Sequence, residues 1–242
     1  MSIRRLFLQK QDTGGGDYPL ANIISEWKFD NNTLDTVGTN DGTGVNITYE
    51  AGLVGQSIQT SGVGYVAVPD ADNLSFTDGV NDLPFSISFA IFPTVVENTF
   101  LFWKGGSTAD REYRVSQLNS SIDFRLMNPT TSFLSIEPTS TSFLTFNDWN
   151  HITITYDGSK DGNGVAIYRD GLSVATTVSE TGTYTGMVNS TIPLTIGART
   201  VTLGQTPFDG NMDCTRFWNK ELTATEVSTI ATAELAGTDI NP

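Results

Sequence analysis

The chain has 242 residues, which suits one two-sheet β domain with a short extension. Its 27 acidic and 13 basic side chains leave a formal net charge of -14, which repels a phosphate backbone, so no nucleic acid partner is expected. A single cysteine, Cys214, excludes an internal disulfide framework, and a single histidine, His151, excludes multi-histidine metal sites.

The chain opens MSIRRLFLQK, whose apolar stretch is too short for a signal peptide or a membrane span, so neither is expected. Arg4, Arg5 and Lys10 precede the first acid, Asp12, and Gly14 to Gly16 form a flexible joint. Residues 1–20 therefore read as an arm and hinge, and residues 21–242 as the folded domain. Within the arm, Ile3, Arg4, Arg5, Leu6, Phe7 and Leu8 are basic and apolar, too short a run to fold alone and too apolar to prefer water. They are the expected anchor, suited to lie as an added strand or extended arm on an acidic, grooved surface.

Trp27 and Phe29 alternate with Lys28 and Asp30, which places the aromatic pair toward a core and Asp30 in the loop that follows. A period of two recurs in Tyr65 to Val68 and in Phe85 to Ile91, where Phe85, Ile87, Phe89 and Ile91 share one face. It returns in His151 to Tyr156, Val165 to Tyr168 and Leu194 to Ile196. Asp170-Gly171 predicts a tight hairpin, and the stretch Asp157 to Gly164 an exposed loop between paired strands. In the last strand the same alternation sets Met212, Cys214, Arg216 and Trp218 against Asp213, Thr215 and Phe217, with Cys214 a small buried hydrophobe. Thr223-Ala224-Thr225-Glu226 has the form of a capping box, followed by Val227, Ile230 and Ala231 on one face of a short helix.

In their order, Glu26-Trp27-Lys28-Phe29-Asp30, Asp41-Gly42-Thr43, Gly52-Leu53-Val54-Gly55-Gln56-Ser57-Ile58, Trp149-Asn150-His151-Ile152, Thr155-Tyr156-Asp157-Gly158, Ile167-Tyr168-Arg169-Asp170-Gly171, Ile196-Gly197 and Phe208 to Asp213 make a recognisable set. The set resembles the laminin G-like jelly rolls of the concanavalin A-like lectin and glucanase superfamily. The resemblance implies an all-β fold: a two-sheet antiparallel jelly-roll sandwich with one short C-terminal helix, preceded here by the extended N-terminal arm. It also implies neighbouring termini and a structural calcium near the first and last strands. Asp30, Asn32, Asp35, Asn40 and Asp41 follow the first strand and Asp213 begins the last, so such a sandwich gathers hard oxygen donors suited to Ca2+. Asp30, Asn32 and Asp213 are the expected ligands. The alternative is an Asx-rich turn in which these side chains bond only to backbone amides.

Glucanases of this architecture carry carboxylates in a pattern close to Glu-x-Asp-x-x-Glu on one strand, and no such cluster occurs here. Asp110 and Glu112 flank Arg111 in a polar loop without a third acid, so no catalysis is expected. His151 matches a core strand of the family and is expected to be structural. Trp103, Tyr113, Tyr184 and Phe208 are candidates for stacking on sugars, with core positions as the competing fate, and the glycan-binding residues stay unassigned. The reading of function that follows is a non-catalytic structural or decoration protein of a bacteriophage. Its arm grips capsid or tail proteins, and a lectin-like domain on the virion surface is displayed to host-surface glycans. The alternative is a bacterial extracellular or cell-surface carbohydrate-binding or adhesin domain.

Overall fold

The structure, a computed structural model, describes residues 18–106, 108–199 and 206–241. The anchor residues Ile3, Arg4, Arg5, Leu6, Phe7 and Leu8 and the Gly14 to Gly16 joint lie outside the described residues. Among the described residues, sixteen strands form two antiparallel sheets of eight. The first sheet runs β13 (Leu172–Ser173), β12 (Val165–Arg169), β11 (Asn150–Tyr156), β6 (Phe85–Pro93), β16 (Gly210–Trp218), β4 (Gln56–Gln59) and β3 (Thr48–Ala51), with β1 (Ile23–Trp27) also paired to β16. The second runs β14 (Thr176–Thr181), β10 (Phe133–Pro138), β9 (Ser121–Met127), β8 (Tyr113–Asn119), β7 (Glu97–Lys104), β15 (Leu194–Ile196), β5 (Tyr65–Val68) and β2 (Thr43–Val45).

The two sheets pack face to face because each presents one apolar row inward. On β6 the inward row is Phe85, Ile87, Phe89 and Ile91, set opposite Tyr156, Ile154, Ile152 and Asn150 of β11. The second sheet answers with Tyr113 and Val115 of β8, Ile122, Phe124 and Leu126 of β9, and Leu134 and Ile136 of β10, all in one core. At the centre Phe76 stacks on Phe85 at 4.0 Å between centroids, and Phe217 meets the edge of Trp27 at 5.7 Å. Trp27 and Phe29 are both buried, as their alternation predicts.

The expected two-residue alternation along β16 does not hold. Pairing with β6 shifts register between Asp213 and Arg216, and Cys214 takes a left-handed backbone with φ 49°. This bulge puts Met212 and Phe217, five positions apart, on the same core face, whereas Trp218 joins a smaller cluster with Leu222, Val227 and Ile230. Cys214 is buried and free, as expected.

That smaller cluster sits beneath α1 (Ala224–Leu235), whose start carries the predicted capping box: Thr223 and Glu226 each accept from the other's backbone N–H. The helix packs against β11 and β13 of the first sheet. Asp170 and Gly171, at φ 52° and 81°, form the expected hairpin between β12 and β13.

Candidate functional site

The outer face of the second sheet owes its composition to a second bulge. The pairing of β7 with β8 shifts between Phe100 and Phe102, so that Leu101 and Phe102 both enter the core while Phe100 and Trp103 both face outward. Opposite them on β8 stand Ser116, across from Phe100, and Arg114, across from Trp103. The row continues on β9, where Arg114 faces Arg125 and Ser116 faces Asp123, and on β10, where Arg125 faces Ser135 and Phe133 faces Met127. Beyond β7, Thr195 of β15 opposes Trp103, and Arg199 follows that strand.

These side chains interlock. Asp123 accepts from Arg114 Nη2 at 2.6 Å, from Arg125 Nε at 2.7 Å and from Ser135 Oγ at 2.5 Å. Arg125 lies over the Phe133 ring at 4.2 Å. The Arg114 and Arg199 guanidiniums both approach the Phe100 ring, at 5.4 and 5.7 Å, and Arg199 also lies 5.3 Å from the Trp103 ring. Burial pulls Arg114 below the usual arginine range despite Asp123, and the positive charges of Arg125 and Arg199 add to that pull. Arg114 Nε and the hydroxyls of Ser116 and Ser121 are buried with no hydrogen-bond partner. Aromatic rings and forked donors on one sheet surface are the equipment of a site that takes a polar, ring-shaped ligand.

Among the aromatic candidates from the sequence, Tyr113, Tyr184 and Phe208 belong to the core. Trp103 faces outward but is only 3% exposed, with Arg199 over its ring. Phe100, Phe133 and the three arginines were not singled out from the sequence. Alternation around Arg114, Asp123 and Arg125 marks them as outward on their strands, but their convergence depends on the β7 bulge and on strand register.

The expected calcium ligands divide. Asp30 and Asp213 line one small cavity, together with Lys28, Val54, Cys214, Arg216 and Asp239. Between the two carboxylates runs Gly52-Leu53-Val54-Gly55: Asp213 Oδ2 accepts from Val54 N at 2.9 Å, and Asp30 Oδ1 from Gln56 N at 2.7 Å. A Cβ on Gly52 would meet Asp213 Oδ2 at 2.5 Å, and one on Gly55 would meet Asp30 Oδ1 at 2.3 Å, so both glycines permit the close approach. Asn32 instead closes its own turn, accepting from Leu34 N and donating to Asp30 O. Asp35 gathers the backbone amides of Glu26, Val37, Gly38 and Asn40. Among the described residues, no three His, Cys, Asp or Glu side chains converge as a metal cluster. Burial pushes the Asp213 carboxyl up to about 7, against hydrogen bonds from Val54, Cys214 and Leu53 that lower it. It makes no ion pair among the described residues, whereas Lys28 pairs with Asp239 at 2.6 Å and Arg216 with Glu26, Glu234 and Asp239.

Two further groups bear on catalysis. His151 is fully buried, and Nε2 lies 2.8 Å from Glu234 Oε2 on α1. Burial and the nearby Arg216 push it down to about 4, so at neutral pH the uncharged ring donates to Glu234, whose other oxygen meets Arg216. Glu112 is also buried, accepts from Ser190 and lies 3.1 Å from Lys104, with burial raising its carboxyl. Neither group reaches the outer face of the second sheet. Asp123, which does, is locked between two guanidiniums.

Residues 60–228 match the family model described as the concanavalin A-like lectin/glucanases superfamily. No curated protein matches the sequence. Among solved structures, domain 4 of AbnA, a GH43 extracellular arabinanase from Geobacillus stearothermophilus, in complex with arabinotriose, is similar at 17% identity and TM-score 0.63, covering 87% of this chain and 98% of that one. The binding domain of Paraclostridial Mosquitocidal Protein 1 is similar at 16% identity and TM-score 0.65, over 88% of this chain and 52% of that one. The botulinum neurotoxin serotype C1 binding domain gives 17% and 0.65, over 88% and 52%. This chain thus spans about half of each toxin binding domain, and at these identities the likeness is one of fold.

Proposed function

The chain belongs to the concanavalin A-like lectin/glucanase superfamily, and from that premise we propose that it is a non-catalytic display domain that binds glycans on the outer face of its second sheet. One observation carries this reading: on that face Arg114 and Arg199 lie by the Phe100 ring and Arg125 by the Phe133 ring, so that aromatic area and guanidinium forks share one sheet surface. Aromatic rings offer flat apolar area to a pyranose, and the arginine forks order its hydroxyl groups. The arabinotriose complex of the Geobacillus domain supports a saccharide as the ligand class. Asp123 has both oxygens taken by arginines and a serine, which supports binding without hydrolysis.

A structural calcium between Asp30 and Asp213 is part of this proposal: Asp213 is a buried acid without an ion pair among the described residues, and Lys28 and Arg216, which line the same cavity, are paired with Asp239, Glu26 and Glu234. Asp30 and Asp213 would hold it, with backbone and water oxygens completing the shell. The ion would tie the start of the sandwich to its last strand.

The basic and apolar arm on an otherwise acidic chain, followed by Gly14 to Gly16, favours carriage on a virus particle, with residues Ile3 to Leu8 gripping capsid or tail proteins. A bacterial extracellular adhesin is the competing setting for the same site. Binding is tested by applying the full chain to an array of neutral and charged glycans: retention is expected, weakened about tenfold by Phe133→Ala. An array that retains nothing overturns the reading. Recovery of the protein from purified virions by mass spectrometry supports carriage on a particle, and its absence there favours the adhesin.

A further inference from the structure

On a chain of net charge -14, the outer face of the second sheet gathers three of the 13 basic side chains around a single carboxylate, Asp123. Asp123 answers Arg114 and Arg125. Arg199 makes no ion pair among the described residues and is held near Phe100 and Trp103 by ring contacts alone. Guanidiniums brought together repel one another, and partial burial strengthens the repulsion because less water screens it. A fold keeps such an arrangement at a cost that an incoming anion relieves. Arg199 is exposed, and the Arg114 side chain, 18% exposed, presents the rest of its fork beside it.

We infer that the glycan taken by this face is an acidic saccharide, whose carboxylate is received between Arg199 and Arg114 while its ring lies against Phe100. This rests on the glycan-binding reading and specifies its ligand class. The planar guanidinium fork takes two oxygens of a carboxylate side by side, and a sulfated probe tests whether charge alone suffices. Asp123 then has a second function: it fixes the Arg114 and Arg125 side chains, so that their ordering is complete before the sugar arrives.

The test is calorimetric titration of the full chain with three probes: oligogalacturonate, a neutral galactan oligomer of equal length, and dextran sulfate. Oligogalacturonate should bind at least about tenfold tighter than the neutral oligomer, and Arg199→Gln should remove most of that difference. Arg199 is exposed and makes no ion pair among the described residues, so its substitution removes only its ring contacts, and a loss of binding in a variant that keeps its cooperative melting reports the site itself. Equal affinity for the acidic and neutral oligomers, or an Arg199→Gln variant that still discriminates, overturns the inference while leaving glycan binding intact. Dextran sulfate binding as tightly as oligogalacturonate shows charge attraction alone and overturns the carboxylate assignment. If no probe binds and a glycan array is also blank, the underlying reading has failed.

Discussion

His151 is the chain's one histidine, and its buried ring is held neutral. Its pKa is lowered from 6.5 to about 4 on folding, so the unfolded chain takes up a proton that the native state refuses. Stability from this group is complete above the unfolded value and is lost as pH falls from about 6.5 through about 4, on the order of 3 kcal/mol in all. Denaturant titrations across that window should show the loss, and the single imidazole proton resonance should stay in its neutral position at pH 5.5. An imidazole titrating near 6.5 in the native protein would refute this. Calcium makes a second prediction at this scale: saturating Ca2+ raises the melting temperature, by about 3 kcal/mol of added stability at a hundredfold excess over Kd. Asp30→Asn and Asp213→Asn should each remove most of the shift, and Asp161→Asn none; a melting curve indifferent to both EDTA and calcium counts against the site. What the sequence made legible at this scale was local: the burial of Trp27 and Phe29, the structural fate of His151, and the shared neighbourhood of Asp30 and Asp213. Asn32 bonds its own turn, accepting from Leu34 N and donating to Asp30 O, a local arrangement that residue type alone does not reveal.

At the scale of elements, α1 is anchored by charge as well as by its apolar stripe. Glu234 is fully buried and meets both Arg216 of β16 and His151 of β11. Removing one partner of such a cluster leaves uncompensated charge, so Arg216→Met should destabilise by about 3–5 kcal/mol. Thr223→Ala, which opens the capping box, should cost about 1 kcal/mol. Both are read from urea midpoints, and an Arg216→Met midpoint no lower than that of Thr223→Ala would show that the buried network does not hold the helix. The capping box and the Asp170-Gly171 hairpin were visible in the sequence because each is written in adjacent residues. The bulges in β7 and β16 were not. A bulge is decided by the partner strand and by what the core demands, so it reverses the alternation of Met212 and Phe217, and of Phe100 and Phe102, without a local signal.

For the whole molecule, the division of labour between sheets follows from the position of the helix. The helix α1 packs on β11 and β13 of the first sheet, and the second carries the aromatic and arginine set, half-buried, on its outer face. The fold was legible because ordered motifs spanned nearly all the strands, whereas the site was not, since Arg114, Arg125, Phe133 and Arg199 come from four separate stretches of chain. Deleting residues 1–13 should leave melting and glycan binding unchanged; if the proposed carriage on a virus particle holds, it should also abolish that attachment, and a truncated protein that still attaches reduces the arm to a leader. The measurement that bears most directly on the central claim is a nuclear magnetic resonance titration of isotope-labelled protein with the strongest array-positive oligosaccharide. Amide shifts should concentrate at Phe100, Trp103, Arg114, Arg125, Phe133 and Arg199. Shifts concentrated at the Asp157 to Gly164 loop, or around the Asp30 and Asp213 cavity, would contradict the account.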